Sequence, residues 1–249
     1  MINLKLKLFE GVSEKLKRRK FLCPFCEKKT SFVNMGNPAR KNVLCAVCGS
    51  LERHRFLLFL YKIIFLGSTD RIKLLHMSPE KCIHDFLLNY KNIDYVSADL
   101  NPEGFSFTNC KKENFCNMSF ENKCFDIILS NQIMEHIENE LEYLKEMRRC
   151  LKEDGILIIN IPFKVGLIKT FEDTKIISSE ERELIYGQKD HVRIYGEDAG
   201  ERFKKAGFIV NRVNEDVFDK GFLKRYRLSC VNSKGINPGG FFILRKKVN

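Results

Sequence analysis

The clearest pattern along the chain is a short apolar run followed by a polar step and then a helical rhythm. Phe125 to Leu129 is an apolar stretch broken only by Asp126, which reads as a buried strand. Ser130 and Asn131 follow as a polar turn, and the acidic segment Glu138 to Glu153 has helical spacing, with a helix expected from Leu141 to Leu151 and a stop at Glu153-Asp154-Gly155. The same alternation recurs from Arg71 onward. Ile72 to Met77 is a strand, Ser78-Pro79-Glu80 turns into a helix with Ile83, Phe86, Leu87 and Tyr90 on one face, and Ile93 to Ala98 is a second strand ending at Asp99. A third strand is expected within Gly104 to Met118. Ile156 to Ile161, closed by Pro162, is a fifth. Glu197 to Lys205 is a helix stopped by Gly207, and Phe208 to Val213 and Phe241 to Lys246 are late strands joined by a basic, aromatic segment from Phe218 to Arg227. Strand, turn and helix in alternation predict an α/β domain with a parallel sheet, whose ligands sit at the carboxyl ends of the strands.

The first third has a different grammar. Cys23-Pro24-Phe25-Cys26 is followed by eighteen residues and then by Cys45-Ala46-Val47-Cys48. Two such pairs each form a tight knuckle with both thiolates aimed at one ion, and a hairpin between them brings the knuckles together. Cys23, Cys26, Cys45 and Cys48 are therefore expected to hold a structural Zn²⁺, with all four tetrahedral positions filled by sulfur. The other six cysteines have no paired spacing and suit core positions. Ser50 caps a helix that carries Arg53, His54 and Arg55, and these arginines are expected either to face solvent or to hold an anion. Residues 1–20 are basic and amphipathic. The domain reading is 1–20 as a basic N-terminal segment, 21–68 as a small N-terminal zinc ribbon with its linking helix, and 69–249 as the α/β domain.

Charge and cysteine usage narrow the classes. With 43 Lys and Arg against 32 Asp and Glu, the net charge is +11 and the pI about 9.1, which suits a phosphate-bearing or otherwise anionic partner. The longest apolar run, Phe56 to Leu66, contains Lys62 and is too short to span a bilayer. No secretory leader is read at the N-terminus, so ten cysteines are expected in a reducing cytoplasm.

At this point the residues resemble a known family. Phe125-Asp126-Ile127-Ile128, then Glu135-His136, then Leu151-Lys152-Glu153-Asp154-Gly155-Ile156 is similar to the class I S-adenosylmethionine-dependent methyltransferases, over roughly residues 70–249. A branch of that family also carries an N-terminal four-cysteine knuckle and a run matching Gly187-Gln188-Lys189-Asp190-His191-Val192-Arg193-Ile194-Tyr195-Gly196. The resemblance implies a seven-stranded Rossmann-like methyltransferase sheet with its last strand antiparallel, and S-adenosyl-L-methionine as cofactor. It implies that His76, Ser78, Glu80, Asp99, Leu100, Asn114, Phe115, Ser130 and Asn131 border that cofactor. Asp99 would bind the ribose hydroxyls, Asn114 the adenine amino group, and Ser130 and Asn131 the methionine part. One departure stands out: the family's glycine-rich turn after the first strand is here His76-Met77-Ser78-Pro79-Glu80, without glycine.

The run from Gly187 to Gly196 is the expected acceptor site. His191 is the candidate base, Asp190 its neighbour, Arg193 a two-pronged grip for a phosphate or carboxylate, and Gln188 and Tyr195 further acceptor contacts. His136 beside Glu135 is a rival base. The leading expectation is O-methylation of a small anionic or carbohydrate- or phosphate-containing acceptor, such as a surface-polysaccharide precursor. RNA methylation is an alternative, with Phe222-Leu223-Lys224-Arg225-Tyr226-Arg227 as a possible base-stacking surface. A non-catalytic binding protein is the third, motivated by the missing glycines.

Overall fold

The computed structural model describes residues 21–65, 69–228 and 231–247. The basic segment of residues 1–20 lies outside the described residues. The chain divides into two compact units. One takes residues 1–66 together with 218–234, and the other takes 67–217 together with 235–249.

In the first unit, β1 (Phe21–Leu22) pairs antiparallel with β2 (Lys29–Thr30), and β3 (Phe32–Met35) with β4 (Arg40–Cys45). The first cysteine pair lies in the turn of the β1–β2 hairpin, and the second starts at the last residue of β4. The amide of Cys23 donates to the carbonyl of Lys28, and Gly49, at φ +70°, donates to the carbonyl of Cys45. Glycine suits this left-handed position because a Cβ would be strained there. Cys23, Phe32 and Cys45 are buried, with Phe21 packed beside Phe32 at 5.2 Å between ring centres. Helix α1 (Glu52–Phe65) follows.

The second unit is built on one seven-stranded sheet. Its strands are β5 (Ile72–Met77), β6 (Ile93–Asp99), β7 (Cys110–Lys112), β8 (Phe125–Asn131), β9 (Leu151–Lys164), β10 (Phe208–Val213) and β11 (Ile236–Lys246). Their order across the sheet is β10-β11-β9-β8-β5-β6-β7. Neighbours from β9 to β7 are parallel, and β11 runs antiparallel between β9 and β10. The central strands are apolar on both faces, as a parallel sheet covered by helices requires: Leu74, Leu75, Ile128, Leu129, Leu157 and Ile158 are fully buried. Helices α2 (Lys81–Leu87), α3 (Glu140–Cys150), α4 (Ser179–Tyr186) and α5 (Ala199–Lys205) connect the strands. Helix α3 begins at Asn139, whose side chain accepts from the amide of Glu142, and it ends in Arg148 and Arg149, the charge order its dipole favours. Tyr143, Leu144 and Met147 of α3 join Leu75, Met77, Ile128, Ile159, Phe203 and Phe242 in the core.

The expected strands are all present; β5 and β10 have the ends expected, and the others end elsewhere. Strand β8 runs through Ser130 and Asn131, so these are buried strand residues and not a polar turn. Glu135 and His136 stand on a short 3₁₀ turn, Met134–His136, ahead of α3. Strand β9 continues through Pro162, which is tolerated because the facing strand slips register between Asn237 and Gly240 and asks no amide of it. The same slip explains the early start of β11 at Ile236, where Asn237-Pro238-Gly239-Gly240 reads as loop.

The segment from 218 is not merely a connector between late strands. It forms α6 (Lys220–Tyr226) and belongs to the first unit, whose residues are thus not consecutive in sequence. Phe59 of α1 meets Phe222 at 4.8 Å and Tyr226 at 5.0 Å. The aromatics of the expected RNA-stacking surface are therefore packed against a helix, and Arg227 donates to the carbonyls of Asn42 and Lys41. Arg55 corrects a second expectation. It is fully buried, neither solvent-facing nor free for an anion. Its Nε donates to the carbonyl of Tyr226 at 2.8 Å, Nη1 to that of Ser50 at 2.7 Å, and Nη2 to those of Val43 and Arg227, both at 2.9 Å. Burial pulls its guanidinium down to about 10, and the plane lies 4.3 Å from the centre of the Phe32 ring.

Candidate functional site

A cleft of about 450 Å³ opens at the carboxyl ends of β5, β6 and β8. Ser78 lines it from the end of β5, Asp99, Leu100 and Asn101 from the end of β6, and Asn114 and Phe115 from the segment after β7. Gln132, Ile133, His136 and Ile137 complete it from the residues after β8, and Asp190 reaches it from the Gly187–Gly196 run. This is the place where an open parallel sheet offers a crevice, because the connections from β5 and β8 leave in opposite directions.

The glycine-free turn is tight in a specific way. Ser78 adopts φ +46°, the left-handed conformation that glycine takes at no steric cost. Its amide donates to the carbonyl of Ala98, and its hydroxyl donates to Oδ2 of Asp99 at 2.5 Å. The other oxygen of Asp99 accepts from the amide of Asn101 at 2.7 Å. The turn thus holds the carboxylate in place at the cleft. Gln132, at φ +53°, makes the matching bend after β8, its amide donating to the carbonyl of Asn160.

Of the residues expected to border the cofactor, Ser78, Asp99, Leu100, Asn114 and Phe115 line the cleft. His76, Glu80, Ser130 and Asn131 do not. His76 is fully buried, with Nδ1 3.0 Å from the Tyr95 hydroxyl and Nε2 2.8 Å from Glu80 Oε2, so the two residues bind each other beneath the turn. Ser130 is fully buried with its hydroxyl 2.6 Å from that of Tyr143. Asn131 donates to Glu80 at 3.3 Å. Alternation along β8 explains this, since strand residues point into the layers on either side and only the residues beyond the strand end face the crevice. Asn101, Gln132, Ile133 and Ile137 are the positions that sequence reading missed.

The acceptor run is rearranged more thoroughly. Arg193 is 3 % exposed, and its guanidinium is taken up by its own protein. Nε donates to Glu172 at 2.8 Å, Nη1 to the carbonyls of Met134 at 2.7 Å and Ile137 at 2.5 Å, and Nη2 to that of Glu138 at 3.1 Å. Arg193 is thus a positioning residue that clamps the Met134–His136 turn, and no two-pronged grip faces the cleft. Tyr195 is fully buried and donates to Glu140 at 3.0 Å, and burial holds its phenol well above its usual range. Gln188 is exposed and does not line the cleft. His191 is 5 % exposed. Burial, and then the adjacent His136, pulls its imidazole down to about 4 despite the pull of Asp190. It is neutral near pH 7 but a poor proton acceptor there, which weakens the expected role as base.

What the run does bring together is a cluster. The His136 and His191 rings meet edge-on at 4.8 Å between centres. His136 Nδ1 lies 3.3 Å from the carbonyl oxygen of Asp190 and 3.2 Å from its Oδ2. Glu135, His136 and His191 offer one ligand atom each, all within 4.8 Å of one another. In the first unit, the sulfurs of Cys23, Cys26, Cys45 and Cys48 also lie within 4.8 Å of one another, with Cys23 to Cys48 at 3.5 Å and Cys26 to Cys45 at 3.8 Å.

Comparison with known proteins places this geometry. The sequence pattern of the methyltransferase domain family matches residues 83–159. An uncharacterized protein of Methanocaldococcus jannaschii is 40% identical over 65 residues. The match covers 25% of this chain and 28% of that protein, so the chain spans little more than a quarter of the relative it matches. Among solved structures, the YcgJ protein of Bacillus subtilis is similar with a TM-score of 0.53 at 12% identity, over 79% of this chain and 100% of that one. Phosphoethanolamine N-methyltransferase 2 of Haemonchus contortus, solved with S-adenosyl-L-methionine, is similar with a TM-score of 0.51 at 14% identity, over 77% of this chain and 52% of that one. At such identities the likeness is one of fold. Among the described residues no helix is long and apolar enough to cross a membrane. The second unit thus has a Rossmann-like sheet of the methyltransferase type, and the methyltransferase domain family matches residues 83–159 within it.

Proposed function

We propose that this chain transfers the methyl group of S-adenosylmethionine to an oxygen of a small acceptor. The observation that carries the reading is the cleft at the sheet's carboxyl ends, with a carboxylate fixed at the end of β6 and an aromatic ring beside it. Asp99, held by Ser78 and Asn101, is the group for the two ribose hydroxyls. Phe115 offers an apolar wall for the adenine, with Asn114 beside it. The sulfonium end then points toward His136 and Asp190 on the far wall, where the acceptor oxygen enters. Catalysis is alignment of oxygen, methyl carbon and sulfur in a line. An acceptor rich in hydroxyls, such as a carbohydrate-containing precursor, suits a wall of Asp190, His136 and Gln132. Arg193 and the α6 aromatics are engaged within the protein, so neither is available to grip an anionic acceptor or to stack RNA bases.

The four-cysteine cluster supports a structural zinc ion in the first unit. A tetrahedral ion with sulfur bonds of about 2.3 Å sets its sulfurs about 3.8 Å apart, close to the two separations above.

Calorimetry with S-adenosylmethionine tests the reading. The wild-type protein binds one equivalent. Asp99→Ala, which removes two hydrogen bonds to a charged acceptor of about 1.5–3 kcal/mol each, weakens binding by roughly tenfold or more. If the wild-type protein shows no heat at millimolar cofactor, the methyl-transfer reading fails and the fold serves binding alone.

A further inference from the structure

We propose that Glu135, His136 and His191 hold a divalent first-row transition-metal ion in the acceptor wall of the cleft, and that this ion binds the oxygen to be methylated. The second half of the proposal rests on the methyl-transfer reading, and the first half does not.

Three observations carry it. The first is convergence: a carboxylate oxygen and two imidazole nitrogens, brought from two separate segments, lie within 4.8 Å of one another. Metal bonds of about 2.0–2.2 Å put neighbouring ligand atoms about 3–3.5 Å apart, a distance that small side-chain rotations reach. The second is an unanswered nitrogen. His191 Nε2 is buried, in a residue 5 % exposed, and has no hydrogen-bond partner among the described residues. A buried polar atom left so costs about 1–3 kcal/mol. An ion in the middle of the cluster removes that cost. The third is how the rings are held. His191 makes a hydrogen bond to the backbone of Tyr186, and His136 turns Nδ1 toward the carbonyl and carboxylate of Asp190. Such outer bonds fix the orientation of ligating imidazoles and leave the opposite nitrogen for the metal.

The scaffold is correspondingly rigid. The amide of Val192 donates to the carbonyl of Glu135 at 2.8 Å, and Arg193 clamps the carbonyls on either side of the turn. This gives the buried Arg193 its purpose: it locks the two ligand-bearing segments together. Two imidazoles and one carboxylate suit zinc, manganese or iron better than magnesium or calcium, and three protein ligands leave positions open. His136 itself lines the cleft, so an open position faces the acceptor. There the ion lowers the pKa of the acceptor hydroxyl, whose proton passes to water. The oxygen then forms its bond to the methyl carbon as the carbon–sulfur bond breaks, and the bonding pair stays on sulfur, giving a methyl ether and a neutral thioether.

The test uses the whole chain with zinc already supplied to its cysteines. Mn²⁺ is titrated in and the free ion is followed by electron paramagnetic resonance. One Mn²⁺ is expected to bind. His191→Ala and Glu135→Gln are expected to weaken binding by about tenfold or more, while Asp99→Ala binds Mn²⁺ as the wild type does. His136→Gln, at a side chain 32% exposed, is the second variant should His191→Ala fail to fold by circular dichroism. No binding to the wild type, or equal binding to the folded ligand variants, overturns the site. Binding of Mn²⁺ without binding of S-adenosylmethionine keeps the site and overturns the methyl-transfer reading alone.

Discussion

Ser78 shows how one residue sets the character of a cleft. A non-glycine residue in the left-handed region costs about 1–2 kcal/mol, and here the hydroxyl gives something back by donating to Asp99. That bond also occupies an oxygen the ribose needs. Ser78→Gly removes the strain and frees the carboxylate, while the more flexible unfolded chain offsets part of the gain in stability. The expected outcome is a melting temperature changed by little and S-adenosylmethionine bound several-fold tighter, read by calorimetry on the two proteins side by side. Unchanged or weaker binding means the Ser78 hydroxyl does not compete with the cofactor. The missing glycine was visible in the sequence, and so was the acidic end of β6. What was not visible was burial. His191, Arg193 and Tyr195 stand out by side-chain chemistry, yet each is nine-tenths or more buried, and the carbonyls and carboxylates that engage Arg193 and Tyr195 come from other segments.

The same blindness operates at the scale of an element, and α1 is the instructive case. Its apolar positions made the helix legible, but Arg55 within it carries no sequence mark of its role. The carbonyls it binds have no residue-type signature, and two of them, on Tyr226 and Arg227, lie 171 and 172 positions away. One guanidinium thereby ties β4, the start of α1 and the end of α6 together. Arg55→Met keeps the bulk and takes this donor from the carbonyls of Val43, Tyr226 and Arg227, while that of Ser50 keeps the Cys45 amide, so the first unit is expected to lose about 3 kcal/mol or more. Arg55→Lys recovers little of this, because one ammonium does not span carbonyls on separate segments. Limited proteolysis followed by mass mapping checks it: new cuts within residues 21–65 at a temperature where the wild type is resistant are expected, and wild-type resistance in Arg55→Met refutes the role. The ends of β9 and β11 differ from the expected ones for a related reason. Pro162 and Pro238-Gly239-Gly240 each look like strand breakers alone, and only their pairing across a register slip makes both admissible.

For the molecule as a whole, the unexpected feature is that the first unit is completed by residues from near the far end of the chain. The expected plan of consecutive blocks, 21–68 and then 69–249, puts residues 218–234 with the sheet, whereas they cluster with the N-terminal part. Every strand of the seven-stranded sheet lies within 72–213 or 236–246, so a chain beginning at residue 69 retains all of them. It also retains α6 without α1. Phe218, Phe222 and Tyr226 then lose Phe59, against which all three rings pack at 4.8 to 5.9 Å, and Phe218 also loses Phe56. Phe222 and Tyr226 on α6 and Phe218 just before it, left with only one another for cover, form an exposed apolar patch of the kind that drives association. The shortened chain is therefore expected to aggregate at micromolar concentration in light scattering. The same chain carrying Phe218→Ser, Phe222→Ser and Tyr226→Ser is expected to stay monodisperse. A shortened chain that is monodisperse without those changes would show that α6 does not depend on α1 for cover, and would return 218–234 to the sheet domain.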